Sequence, residues 1–564
     1  MNRSKPQKHL IAELLFTQHK HMNHKDIIQI IYNKHIMPHN FFKPTITVII
    51  VVFFFIMLIS CKKKDSIQYD KVNRITRQES IKPVRPYEDL FWNKYSQQFI
   101  YAPYFKVEPA PNAQKYVFAA RGVDNKEYTF ESTNPCESLS PIWADLPVGF
   151  MKLTVSGMDE AGNEIDKHEF SFYKAAFFNG PYHQKMLDYR KSAEMALEYE
   201  FNQPHIQNWA LNGTPDTTSY NLYCYPSKII GAVIESMVEY AKISEPNREK
   251  ALKIAMNAAE YLIGVSEPVG SPLEFFPPTY AGEQRTSKAF KNQFMIIYPA
   301  KTASTYLDLY EITGDNKFKE AALKIAQTYK KVQEPSGTWK LKLWIDGSPV
   351  TENDCIPIEI INFLDRLESQ YAITEYVDTR KKAYDWIINN PLKTYNWSGQ
   401  FEDVAPVEPY KNLSKDEASA FAIYLFQNIH QKKEFRSVAD DLLRFCEDQF
   451  IIWEKPMPQK QYNVEEWITP CVLEQYACYE PINASVANMM EAYLTGYKAT
   501  KNEVYKAKMI ELANAVTVAQ HANTGRYPTY WQLNERQKKE SGYIDWLNCT
   551  SYCVKVMLQI SDSQ

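Results

Sequence analysis

At 564 residues, the chain is long enough for more than one domain, and its net charge of −3 lacks the basic excess expected of a general nucleic-acid binder. Glycine is scarce at 17 residues, and neither a Gly-rich phosphate loop nor a GxSxG elbow is present, which disfavours nucleotide-binding folds. Nine cysteines without a CxxC pair are too few for a disulfide scaffold, although one or two disulfides fit an oxidising compartment.

The run Ile46 to Ile59 is apolar, follows Lys43 and closes on Leu58-Ile59-Ser60-Cys61. That is the shape of a secretory leader ending at a small residue and a cysteine, and the run is shorter than the roughly 20 residues a membrane-spanning helix needs. The stretch resembles the lipobox of bacterial lipoproteins, in which cleavage falls just before a cysteine that carries the lipid. The resemblance implies a leader over residues 1–60 and lipidation at Cys61. It places the protein in the bacterial cell envelope, periplasmic or at the outer-membrane surface, with the membrane as a partner through that anchor. His19, His21, His24, His35 and His39 then belong to the leader. The five histidines beyond it (His168, His183, His205, His430 and His521) lack HExxH or HxxxH spacing, so no metal site and no cofactor is expected. Without residues 1–60 the chain carries 57 basic and 65 acidic side chains, a net charge of −8. Nucleic acid is disfavoured further, while a local basic cleft for an acidic sugar stays open. Residues 61–90, beginning Lys62-Lys63-Lys64-Asp65, are polar and read as a tether.

Residues 91–178 alternate in short runs broken by turns: Lys115 to Arg121, Glu127 to Ser132, Phe150 to Ser156 and His168 to Tyr173. This spacing predicts a small antiparallel β-sandwich, and it resembles an immunoglobulin or fibronectin type III module.

From residue 180 to 564 the period becomes helical. Twelve helices are predicted, starting near His183, Pro226, Asn247, Pro299, Asn316, Pro357, Thr379, Leu413, Glu434, Pro481, Asn502 and Ser541. Short turns such as Thr313-Gly-Asp-Asn316 and Ala499-Thr-Lys-Asn502 alternate with connections of twenty residues or more. In antiparallel pairs this alternation sends every long loop to one end. Internal repetition agrees: Ala251-Leu-Lys-Ile-Ala recurs from Ala322, and Pro226, Pro299, Pro357 and Pro481 stand where helices follow long loops, a place that suits proline.

Twelve helices in hairpins with Thr-Gly-Asp turns resemble the six-hairpin glycosidase superfamily, over about two-thirds of the chain. The resemblance implies a mainly α chain, an (α/α)6 toroid preceded by the small β-sandwich, with the substrate funnel on the long-loop face and sugar hydrolysis, elimination, epimerisation or phosphorolysis as chemistry. The Asp-Ala-Gly-Asp motif of the cellulase-type members is absent.

The long loops mix carboxylates with aromatics, which suit the flat C–H faces and hydroxyl edges of sugars. Glycoside hydrolysis needs one protonated and one ionised carboxyl group. Asp403 is the first candidate and Glu402 its neighbour and competitor, with Glu352 or Asp354 opposite and Glu474 third. Trp339, Trp344, Trp397, Trp467, Gln475, Tyr476, Arg526 and Trp531 are the candidate substrate contacts. Each of these aromatics has a plainer reading, as a peg that packs a loop onto a helix end. The expectation is a glycoside hydrolase of the cell envelope acting on an oligosaccharide or polysaccharide. A polysaccharide lyase or uronate epimerase of the same fold, and a non-catalytic glycan-binding lipoprotein, are the alternatives.

Overall fold

The computed structural model describes residues 67–84, 95–402, 405, 407–532 and 544–564. The leader, Cys61 and the first part of the expected tether lie outside these residues. Among the described residues no helix is long and apolar enough to cross a membrane.

Part of the stretch expected as a tether is instead a helix, α1 (Tyr69–Ser80), which buries Val72, Thr76 and Ser80 at a spacing of four residues. Its stripe is semi-polar, so mean composition hides it, and tertiary hydrogen bonds hold it. Thr76 Oγ1 donates to Phe178 O at 2.7 Å, Asn73 Nδ2 to Gly180 O at 2.6 Å, and the Tyr69 hydroxyl to Glu511.

The predicted strands form one four-stranded antiparallel sheet. They are β2 (Lys115–Arg121), β3 (Glu127–Ser132), β5 (Gly149–Met158) and β6 (Glu164–Lys174), in the order β3-β2-β5-β6. A two-stranded ladder of β1 (Tyr104–Lys106) and β4 (Cys136–Ser138) accompanies it. Alternation buries Tyr116, Phe118 and Ala120 of β2 and Met151, Leu153 and Val155 of β5. Phe105 packs on Phe170 at 5.1 Å and Trp143 stacks on Phe172 at 5.9 Å, so residues outside the sheet supply the second layer.

The helices that follow pair as hairpins. After α2 (Tyr189–Phe201) come α3 (Pro226–Ile243) with α4 (Arg248–Val265), α5 (Ile297–Thr313) with α6 (Asn316–Val332), and α7 (Ile358–Tyr371) with α8 (Val377–Asn389). Then come α9 (Asp416–Gln427) with α10 (Phe435–Phe450), and α11 (Asn483–Thr500) with α12 (Glu503–Ala519). The last helix, α13 (Leu547–Asp562), packs on α2, so these two helices make the sixth pair. Helices α3, α5, α7, α9, α11 and α13 each touch the next, and α13 touches α3. This closed inner ring inside an outer ring is an (α/α)6 toroid.

Sequence separates the two rings. Inner α3 is buried on nearly every turn from Pro226 to Ala241, whereas outer α6 buries one stripe, Phe318, Ala322, Ile325, Ala326 and Tyr329. Two hairpin turns use one device: a left-handed residue ends the inner helix, and the next side chain caps the outer one. Gly314 has φ of 71° and Asp315 accepts from Lys317 N at 3.1 Å; Lys501 has φ of 57° and Asn502 accepts from Val504 N at 3.0 Å. The six long connections all lead into the N-termini of inner helices. Two of them pass beneath the neighbouring outer helix at a glycine. A Cβ on Gly337 would lie 2.6 Å from Lys382 O in α8, and one on Gly525 would lie 2.5 Å from Met195 Cβ in α2. Both glycines open a Gly-x-aromatic run, Gly337-Thr-Trp339 and Gly525-Arg-Tyr527, which thus serves packing.

Candidate active site

A cavity of about 880 Å³ lies on the axis of the toroid. All six inner helices line it, together with Gln400, Phe401 and Glu402 of one long loop, Glu474 and Gln475 of another, and Tyr530 and Trp546 of the last. Along α7 the lining runs from Ile358 to Gln370. At 1.5 Å per residue, that is a depth of about 18 Å. Helix geometry decides which side chains enter: residues in the first turns, such as Lys228, Tyr298, Lys301, Glu359 and Glu417, face the axis just below the loops.

Glu402 sits in this wall with 2% of its surface exposed. Lys228 Nζ donates to its Oε1 at 2.6 Å, and the Tyr298 hydroxyl donates to its Oε2. The backbone is held as well, because Tyr280 Oη and Lys342 Nζ donate to Glu402 O at 2.7 and 2.8 Å. Burial alone would raise this carboxyl group, but the Lys228 charge and the two side-chain hydrogen bonds outweigh it and hold Glu402 below the usual carboxylate range. Lys228 is itself placed over the Trp546 indole, 4.5 Å from the ring centre.

Glu474 has the opposite balance. Burial, with the nearby charges of Asp416 and Glu402, pushes it up to about 7 against the pull of Lys415 and Lys228. Its neighbour Gln475 accepts from Asn412 Nδ2 at 2.8 Å, and Gly399 is required beside it, since a Cβ there would come within 2.8 Å of Gln475 Oε1. On α9, burial and the adjacent Asp416 push Glu417 up to about 8. Asp416 accepts from Lys415 Nζ and, at 2.9 Å, from Asn488 Nδ2. Among the carboxyl groups of this wall, Glu402 is thus pushed towards the ionised form, while Glu474 and Glu417 are pushed towards the protonated one.

Of the residues singled out from sequence, Glu402, Glu474 and Gln475 line this cavity. Asp403 lies outside the described residues. Glu352 and Asp354 do not line it. Their loop closes on itself through Leu341 N to Asn353 O at 2.8 Å and Cys355 N to Trp339 O at 2.7 Å. Both carboxylates then pair with Lys340, at 3.3 and 3.0 Å, and Glu352 is 90% exposed.

Nor do the aromatic candidates line it. Trp339 Nε1 donates to Tyr329 O at 3.0 Å, Trp531 Nε1 to Asn483 Oδ1 at 3.2 Å, and the Tyr476 hydroxyl to Gln449 Oε1 at 2.6 Å. Trp397 is buried against Phe421, Trp467 is buried beside Tyr462, and Arg526 pairs with Asp545 at 3.0 Å. Trp344 is partly exposed but outside the cavity wall. The buried ones among these side chains anchor loops to helix ends.

Lys228, Tyr298, Asp416, Glu417, Asn548 and Trp546 line the cavity without having been singled out. For the lysines a signal existed: Tyr225-Pro226-Ser-Lys228 and Tyr298-Pro299-Ala-Lys301 place a lysine two residues after each helix-opening proline. Among the described residues no group of three or more His, Cys, Asp or Glu is arranged to hold a metal ion, and no disulfide joins two of the described cysteines.

No family model and no curated protein matches the chain. Among solved structures it is similar to a family 76 glycoside hydrolase from a bovine Bacteroides thetaiotaomicron strain, at 10% identity over 80% of this chain and 93% of that one, with a TM-score of 0.44. It is similar to an unsaturated glucuronyl hydrolase specific for heparin, at 10% identity over 66% and 97%, with a TM-score of 0.43. A cellobiose 2-epimerase from Spirochaeta thermophila matches at 10% identity over 66% and 98%, with a TM-score of 0.41. Likeness at this level carries no argument about activity.

Proposed function

We propose that the protein is a carbohydrate-processing enzyme, a glycoside hydrolase, with Glu402 as the ionised carboxylate and Glu474 as the acid. One observation carries this reading: two carboxyl groups share a cavity wall while their surroundings drive their proton affinities apart, the division of labour that glycoside hydrolysis requires. Glu474 gives its proton to the departing glycosidic oxygen. Glu402, held by Lys228 and Tyr298, takes a proton from the attacking water or bonds to the sugar carbon itself. Tyr298, Tyr530, Trp546 and Tyr552 give the wall aromatic faces for sugar rings.

The test is incubation with a panel of neutral and uronic-acid polysaccharides. New reducing ends from the wild-type chain, lost in Glu402→Gln and Glu474→Gln variants of native circular dichroism, are expected. An unsaturated ultraviolet chromophore would assign elimination instead, and saturable binding of unchanged sugar would leave a binding protein.

The envelope location belongs to the same proposal and rests on the Leu58 to Cys61 pattern. Labelled palmitate is expected to enter the full chain and not its Cys61→Ser variant; equal labelling of both would remove the anchor.

A further inference from the structure

We infer that the axial cavity takes a neutral glycan and rejects uronic-acid ones, with Ser227, Glu417 and Asn548 as the side chains that read the sugar hydroxyls. This rests on the glycoside reading above and adds the class of substrate.

Two independent observations lead there. The first is a set of unsatisfied atoms. Ser227 Oγ, Glu417 Oε2 and Asn548 Oδ1 are buried without a hydrogen-bond partner, on residues 3%, 8% and 7% exposed. All three residues line this one cavity, from α3, α9 and α13. A buried polar group without a partner is destabilising, so three of them around one cavity indicate that a ligand completes them. A hydroxyl group both donates and accepts, so a sugar ring edge meets a serine hydroxyl, a carboxyl oxygen and an amide carbonyl equally well.

The second observation is the charge balance. Among the described residues, each lysine and arginine lining the cavity is already neutralised. Lys228 pairs with Glu402 at 2.6 Å, Lys301 with Glu359 at 3.3 Å, Arg366 with Asp308 at 2.7 Å and Lys555 with Glu235 at 3.2 Å. Glu417, Glu474 and Glu491, which line the same cavity, form no such ion pair with the described lysines and arginines of its wall. A uronate would bring a further negative charge into a cavity whose described lysines and arginines are all paired already. A neutral ring brings none.

The test uses the full chain carrying Glu474→Gln, so that bound sugar is not consumed, on an array of neutral, N-acetylated, uronic-acid and sulfated oligosaccharides. Neutral members are expected to bind, with their uronic-acid counterparts weaker by about 100-fold. Adding Asn548→Ala or Ser227→Ala should weaken neutral binding about 10-fold each. Preference for uronic or sulfated members would overturn the inference, and so would unchanged binding in both added variants. Should Asn548→Ala fail to fold, Ser227→Ala and the charge preference still decide. The two proposals fail separately: neutral sugars bound by a wild-type chain that never cleaves them would end the hydrolase reading alone, and cleavage of uronic substrates would end this one alone. A folded chain that binds no member ends both.

Discussion

Replacing Lys228 with methionine removes the charge beside Glu402 and keeps most of the side-chain volume. The two groups are 2.6 Å apart and largely buried, with side-chain exposures of 17% and 2%. At an effective dielectric of about 20, their direct attraction is about 6 kcal/mol, partly offset by the cost of drying both ions. Breaking such a pair from one side costs about 3–5 kcal/mol, because a buried charge is left behind. Glu402 can limit that loss by binding a proton. In the wild type its folded-state pKa is depressed, so its contribution is present above the unfolded value of 4.5 and is lost as pH falls through the folded one. Without Lys228, burial dominates and raises the pKa, so stability is instead lost as pH rises above 4.5. The gap between the two proteins therefore widens with pH. Urea denaturation should show a small difference near pH 4.5 and the full loss by pH 7.5, largely recovered by adding Glu402→Gln. A loss below about 1 kcal/mol at pH 7.5, one that ignores pH, or a double variant no more stable than Lys228→Met would refute the reasoning.

Three further outcomes are expected. In the hydrolase reading kcat/KM needs Glu402 ionised and Glu474 protonated, so activity should fall as pH rises through about 7, and Glu474→Gln should cut kcat about 100-fold or more while removing that alkaline limb; a limb that stays assigns it elsewhere. Asp354→Asn and Glu352→Gln should leave turnover within about twofold of wild type, because each loses only an exposed pairing with Lys340; a loss of tenfold or more would bring that loop into the site. Gly525→Ala and Gly213→Ala both force alanine to positive φ, but only the first meets Met195, at 2.5 Å from its Cβ, whereas Gly213 faces open space. Thermal unfolding should therefore drop further for Gly525→Ala, by several degrees beyond the backbone strain that the two share; equal drops would mean the loop has room to shift.

The twelve helices of the rings, the five hairpins joined by short turns and the face that gathers the long loops were readable from the chain because their causes are local, whereas α1 and the pairing of α2 with α13 were not. A 3.6-residue period, a Gly-Asp or Lys-Asn turn and a proline opening a helix act within a few residues of one another. The chemistry could not be read the same way. Asp354 and Asp416 both lie beside the start of an inner helix, yet one is drawn onto Lys340 by its own loop and the other occupies a first helical turn facing the axis. Trp397 and Trp546 both belong to aromatic loops, and one pegs its loop down while the other lies under Lys228. Tertiary packing brings carboxyl groups 72 positions apart, Glu402 and Glu474, into one cavity wall, and only that packing sets the burial and the neighbouring charges that lower one and raise the other. Local pattern thus determined the scaffold, while long-range packing, which alone fixes the electric surroundings of a side chain, selected the residues able to act.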